Sequence, residues 1–236
     1  YRGLSMRDIE RQLGVVHPGR KGRVYKEKIN KVKVLQHVSG DKTTYVYDTP
    51  YGALTETYMN HPREGRISQT EHLWKSTADY RPLKYLIENI EYEPAYEEFI
   101  QYDEWVGADG VPFVSAGEDP FYELMRYYMG FENVYFELVD NRREFTSLFE
   151  TLLNKKLELQ ELVVRAPGEF VIHGAHYDTP ITPPHLYREF IGPYLADFSQ
   201  KLHRVGKRLV IHADADLSGL LTDVLNSGVD VAECFC

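Results

Sequence analysis

Polar and apolar positions alternate with two different periods along this chain, and the change between them divides it. From Met6 to Leu13 the apolar residues Ile9 and Leu13 stand four apart, one face of a short helix. A basic segment with Pro18, Gly19 and Gly22 follows; it reads as a loop, so residues 1–23 are expected to be an arm leading into the fold. Between Lys31 and Tyr58 the period falls to two. Val32 and Val34 alternate with lysines, Ser39-Gly40-Asp41 makes a turn, and Thr43 to Tyr47 resumes β-prone residues, which predicts an antiparallel hairpin or small meander over residues 25–60. After the segment Pro62 to Gly65, Tyr80, Leu83, Ile87 and Ile90 are spaced for one buried helical face.

The second half changes character, because short apolar runs now alternate with longer helical patterns. Val111 to Ala116 reads as a buried strand. Asp119 is placed to cap a helix with Pro120 at its first position, a stripe of Phe121, Leu124, Met125 and Tyr128, and Gly130 at its end. Val134 to Val139 fits strand or helix; Glu144 to Val164 is a long amphipathic helix. Glu169 to Gly174 predicts a strand, Pro184 to Val205 a helix kinked at Pro193, Arg208 to Ala213 a strand, Leu217 to Leu225 a helix closed by Gly228, and Val229 to Glu233 a final strand.

Strand-then-helix units give a parallel sheet, and right-handed crossovers leave an open doubly wound sheet or a (β/α)8 TIM-type barrel. The barrel is the expectation, since no glycine-rich phosphate turn follows the first strand and residues able to do chemistry stand at three successive strand ends. It is expected as a single domain over residues 1–236, with the meander as an elaboration and the βα core over 105–236. Only four or five barrel strands can be counted and the chain stops on a strand, so a fragment of a longer protein is expected, lacking something at both ends.

Composition narrows the function. With 27 Lys+Arg against 36 Asp+Glu the formal charge is −9 and basic residues are scattered, which argues against nucleic acid or an anionic membrane as partner. No apolar run reaches the roughly 18 residues of a membrane span, and residues 1–20 lack a signal-peptide pattern, so a cytoplasmic location is expected. The two cysteines, Cys234 and Cys236, build no disulfide framework.

Chemistry in a parallel α/β architecture belongs at the carboxyl ends of strands. The run from Phe170 to Pro180 puts His173, His176, Tyr177 and Asp178 at or past one strand end; alternation in the next puts Val210, His212 and Asp214 on one face; and in the last Ala232, Cys234 and Cys236 share a face. An earlier strand end adds Glu118 and Asp119. Imidazole, carboxylate and thiolate converging from adjacent strands are what Zn2+ requires, with one position left open for catalysis. His212 and Asp214 are the leading ligands and Cys234 a third candidate; such a zinc ion could bind a thiol and lower its pKa. Competing structural roles exist. Asp214 and Asp216 precede a helix and could cap it, Asp119 reads as a cap, one of His173 and His176 falls on the wrong face for a shared site, and the cysteines could be core residues. The aromatics from Tyr122 to Phe136 read as packing, with Tyr127 or Tyr128 as candidate ligand contacts.

Tyr177-Asp178-Thr179, Thr182-Pro183, Leu186-Tyr187-Arg188-Glu189-Phe190, Pro193-Tyr194, Val210-Ile211-His212 and Leu220-Leu221 through Gly228-Val229-Asp230 together resemble the uroporphyrinogen decarboxylase superfamily. Asp119-Pro120-Phe121 through Gly130 is similar to the family's strand-loop-helix near the site mouth, and Thr49 through Thr55 to a hairpin of some relatives. The resemblance implies a (β/α)8 barrel with its site in the mouth, and one of two chemistries. One branch decarboxylates tetrapyrroles without metal; its Phe-Ser-Asp motif and arginine-rich amino-terminal segment are not found in this chain. The other transfers methyl groups between a corrinoid protein and a thiol, using zinc. In that branch a His-x-Cys pair ends the strand matching Leu209 to Ala213; His212 matches the histidine, Asp214 stands where the cysteine would be, and the later cysteine would fall beyond residue 236. The expectation is therefore a zinc-assisted methyltransferase served by a corrinoid partner protein. Asp178, Tyr177 and Glu118 are its candidate catalytic residues, His176, Tyr177, Asp178 and Tyr128 its substrate contacts, and His212, Asp214 and Cys234 its metal ligands. A metal-free tetrapyrrole decarboxylase and a non-enzymatic corrinoid- or tetrapyrrole-binding protein are the alternatives.

Overall fold

A computed structural model of the chain describes residues 3–235. In chain order its elements are α1 (Met6–Leu13), β1 (His17–Arg23), β2 (Tyr25–Ile29), β3 (Lys33–Ser39), β4 (Lys42–Thr49), β5 (Gly52–His61), β6 (Arg66–Glu71), α2 (Tyr80–Glu88), β7 (Ile90–Pro94), α3 (Tyr96–Val106) and β8 (Gly110–Ser115). There follow α4 (Pro120–Glu123), α5 (Phe131–Asp140), α6 (Arg142–Arg165), β9 (Phe170–His173), α7 (Pro184–Leu186), α8 (Gly192–Arg204), β10 (Arg208–His212), α9 (Leu221–Asn226) and β11 (Val231–Glu233). The chain divides into two compact units, one of residues 1–26, 93–118 and 159–236, the other of 27–92 and 119–158. The residues expected as one βα core, 105–236, are thus shared between both units.

The first unit is mixed α/β around a parallel sheet of order β1-β8-β9-β10-β11. That order follows the chain without reversal, so it contains no switch point of the doubly wound kind. Leu209, Val210 and Ile211 in β10 and Val171 and Ile172 in β9 are buried, because strands covered on both faces read as unbroken apolar runs. Leu195, Phe198 and Leu202 of α8 are buried, spaced three to four residues apart for one apolar face.

The first strand corrects the expected basic loop. His17 to Arg23 carries no large apolar residue, which hid it, yet it pairs in parallel with β8 from His17↔Gly110 to Arg23↔Ser115. Its glycines let the two backbones approach: a Cβ on Gly22 would stand 2.0 Å from the Phe113 carbonyl oxygen and 2.8 Å from Phe99 Cε2. Pro112 lies opposite Gly19 in the β1 ladder and outside the β9 ladder, which begins only at Val114, so its missing N–H leaves the pairing with β9 intact. The sheet is also strongly curled. Across four strand spacings a flat sheet would separate β1 from β11 by roughly 19 Å, farther than an arginine side chain spans, yet Arg20 on β1 makes an ion pair with Glu233 on β11.

The second unit holds the meander, four antiparallel strands in the order β3-β4-β5-β6. It runs from Lys33 to Glu71, later than the expected 25–60, because β2 pairs with β7 instead. Ile90 opens β7 rather than closing α2. Asp119 accepts a hydrogen bond from the Tyr122 backbone N–H at 2.8 Å and caps α4 ahead of Pro120, as the pattern predicts. The ambiguous Val134 to Val139 is helical, within α5. In the first unit, a π-helical turn over Tyr187–Ile191 precedes α8, which moves Pro193 to the first turn of a new helix, where no hydrogen bond is lost. Among the described residues no helix is long and apolar enough to cross a membrane.

Replacing Gly22 by Ala should destabilise the chain by about 1–3 kcal/mol through overpacking against a partner backbone that cannot move aside. Urea unfolding measures this, and an unchanged midpoint would contradict the close approach of β1 and β8.

Candidate metal centre

Parallel register decides which side chains meet. His212, the last residue of β10, lies beside Glu233, the last of β11, while Ile211 lies beside both His173 and Ala232. Residues level with one another on parallel strands point to the same face, so His212 and Glu233 face one way and His173 the other. Accordingly the His212 Nδ1 is 2.7 Å from Glu233 Oε1, whereas His173 packs against Tyr194 of α8.

Two loops complete the cluster. Past β10, Asp214 reaches back so that its Oδ2 lies 3.1 Å from His212 Nε2. Past β9, His176 turns its Nδ1 to Asp214 Oδ1 at 2.9 Å and sets its ring edge-on to His212, centroids 4.5 Å apart. The loops are clipped together by Thr179. Its hydroxyl donates to the Asp216 carbonyl at 2.7 Å and accepts from the Gly219 N–H at 3.2 Å, and a Cβ on Gly219 would come within 2.5 Å of Thr179 Cγ2. His176, His212 and Asp214 each offer a donor atom within 4.8 Å of the others, as do His212, Glu233 and Cys234.

Both imidazole nitrogens of His212 therefore face carboxylates. A neutral ring has one N–H to give, so one contact is met by donation and the other by a proton or a cation between nitrogen and oxygen. On the Nδ1 side Glu233 also accepts from Arg20, whose Nη2 lies 2.9 Å from Cys234 Sγ. On the Nε2 side Asp214 has two histidines and is about half exposed. The hydrogen bond from His176, with the nearby His212 adding to it, holds the Asp214 carboxyl below the usual aspartate range. It stands ready as an anion.

The expected residues divide on inspection. His212 and Asp214 come together as expected, but through the loop past β10 and not through strand alternation, since β10 ends at His212. His176, expected as a substrate contact, joins them. The capping role expected of Asp214 or Asp216 falls to neither: α9 begins at Leu221, later than the expected Leu217, with Leu220 before it and no side-chain cap, and Asp216 Oδ1 instead accepts from the Ser218 N–H at 2.9 Å in the preceding turn. Cys234 departs from the expected alternation because its φ is 56°, a left-handed backbone that ends the strand and lets Glu233 and Cys234 meet the same guanidinium. Cys236 lies outside the described residues. Tyr177 is a correction. It is fully buried, its hydroxyl paired with His173 Nε2 at 3.1 Å while His173 Nδ1 donates to the Gly117 carbonyl at 2.9 Å, so both rings hold the loop from inside. Tyr128, expected as a substrate contact, belongs to the second unit, where its hydroxyl donates to Glu123. Asp178 is partly exposed, its carbonyl accepting from the Ile181 and Thr182 N–H groups; Glu118 lies at the end of β8 beside Gly174.

No family model matches the sequence. No curated protein matches it either. Among solved structures a methyltransferase from Methanosarcina mazei is similar, with a TM-score of 0.45 and 14% identity over 70% of this chain and 48% of that one. This chain thus spans about half the length of that neighbour. A likeness so slight carries no argument about fold or activity.

Arg20 and Glu233 were not visible as site residues. Arg20 sat in an apparent loop, and the cysteines drew attention from Glu233, although a carboxylate ending the last strand is itself a signal.

The lowered Asp214 pKa sets a pH test. A depressed folded-state pKa contributes stability above the unfolded value of about 3.9, lost as pH falls through the folded value. In chelator-treated protein, Asp214→Asn should be less stable than wild type near pH 6. The difference should vanish in acid below the ordinary aspartate range, as urea unfolding across pH measures; a gap that persists or grows in acid would contradict the His176–Asp214 bond.

Proposed function

We propose that this chain carries the catalytic part of a zinc-dependent enzyme on a (β/α)8 barrel, transferring a methyl group to a thiol or similar acceptor. The observation that carries the metal is the convergence of His176, His212 and Asp214 at the ends of adjacent parallel strands. The donor set fits zinc: two imidazoles and one carboxylate are a common set of three protein ligands, leaving a position open. When bound, the ion would lower the pKa of a thiol or water so that it acts as thiolate or hydroxide near neutral pH. Curling that lets Arg20 reach Glu233 supports the barrel, whose working groups gather at the carboxyl ends of its strands.

In this reading His212 donates its Nδ1–H to Glu233, which fixes the tautomer and turns Nε2 toward Asp214 and His176; carboxylates behind metal-bound histidines do this generally. Arg20 in turn fixes Glu233 and balances its charge. Zinc would then be held on the Nε2 side by His176, His212 and Asp214, leaving Cys234, beside Arg20 on the Nδ1 side, outside the ligand set. Glu118 and Asp178 are left to orient substrate or move a proton. Methyl transfer itself rests on the family resemblance of the second half, which supports a corrinoid protein as the methyl source.

Zinc measured by plasma mass spectrometry should reach about one ion per chain, and His212→Ala should lose it. Glu233→Gln should keep stoichiometry but bind zinc about 10–100-fold more weakly, and Cys234→Ser should bind as wild type. Loaded protein should then methylate a thiol from a methylated corrinoid. A chain that takes up no zinc would overturn the mechanism; zinc without methylation would overturn the assigned reaction alone.

A further inference from the structure

The second unit contains a cleft of about 450 Å3 between one face of α2, the start of α6 and the turn after β4. Arg81, Lys84 and Tyr85 reach it from α2, Arg143 and Ser147 from α6, and Tyr51 from the turn. None of the three cations makes an ion pair among the described residues, although two of them are held in place. The Arg81 guanidinium lies 3.9 Å over the Tyr51 ring, Tyr51 packs edge-on to Tyr85 at 5.4 Å, and Lys84 donates to the Ser147 hydroxyl at 2.9 Å. Lys84 keeps two N–H groups and each guanidinium its whole fork.

We infer that this cleft binds a phosphate monoester carrying a planar ring, of the size and kind of a nucleoside monophosphate. Three cationic donors exceed the needs of one carboxylate and match a dianionic phosphate with three oxygens. Arg143 belongs to the first turn of the 24-residue helix α6, where the helix dipole also favours an anion. Tyr51 and Tyr85 offer the ring an aromatic wall. Glu88 and Glu144 line the same cleft; they oppose a bare polyanion and accept hydrogen bonds from hydroxyl or amino groups on the rest of the ligand. The volume lies within the range of small-molecule sites. This site is independent of the zinc reading, since it uses none of its residues.

Calorimetric titration of the whole chain at low ionic strength, with inorganic phosphate, phenyl phosphate and adenosine monophosphate as probes, tests it. Adenosine monophosphate should bind at least about tenfold more tightly than inorganic phosphate, with phenyl phosphate between them, because the ring adds contact to the charge. Arg143→Gln and Arg81→Gln should each weaken it about fivefold or more without moving the thermal midpoint, since both side chains are exposed. Tyr51→Ala should bring the three probes close together in affinity. Equal binding of phosphate and adenosine monophosphate by the wild type, unaltered affinity in Arg143→Gln, or no binding at millimolar ligand would overturn the proposal.

Discussion

Parallel pairing of β9, β10 and β11 is the constraint on which the candidate centre depends. The ladder bonds fix each strand's height against its neighbour, and a slip of one residue would turn every side chain to the opposite face. With His212 level with Glu233 and Ile211 level with His173, one face collects the polar strand ends and the other the rings that pack under α8. His173 and Tyr177 then hold the loop after β9 from within, and Thr179 ties it to the loop after β10. His176 and Asp214 are placed by these contacts, not by strands of their own.

Curling of the sheet supplies the second half of the geometry. Without it Arg20 could not approach β11, and Glu233 would stand beside His212 with no cation to balance it. With it, a chain of charges runs from Arg20 through Glu233 and His212 to Asp214 and His176. Each member has a partner on one side and a task on the other. Such ordering matters because a ring with two acceptors is ambiguous until one is neutralised, and the arginine neutralises Glu233 alone.

Much of the first unit was legible because apolar runs of strand length alternating with helical stripes have one dominant explanation. β8, β9, β10 and β11 stand where the pattern puts them within a residue or two, as does the Asp119 cap. Alternation pointed to His212 beside Asp214, although Asp214 lies past the end of β10 and its loop, not the strand, brings it back. β1 was not legible, since its burial comes from glycine and backbone rather than from apolar side chains. Cys234 misled because alternation holds only while the strand lasts, and its left-handed backbone is invisible in the residue type. Tyr177 misled because a tyrosine near a strand end can face either side, and burial with a hydrogen bond to His173 decides between them. Arg20 required knowing that the sheet curls, a long-range property that no local spacing encodes.

His212 offers a metal two sides, and zinc K-edge X-ray absorption of the zinc-loaded chain reads directly which one it takes. Coordination by His176, His212 and Asp214 predicts a first shell of nitrogen and oxygen at about 2.0–2.2 Å, with imidazole outer-shell scattering from two histidines. A sulfur neighbour at about 2.3 Å would place the ion with Cys234 and Glu233, and would contradict Arg20 and Glu233 as the support behind a metal-bound His212.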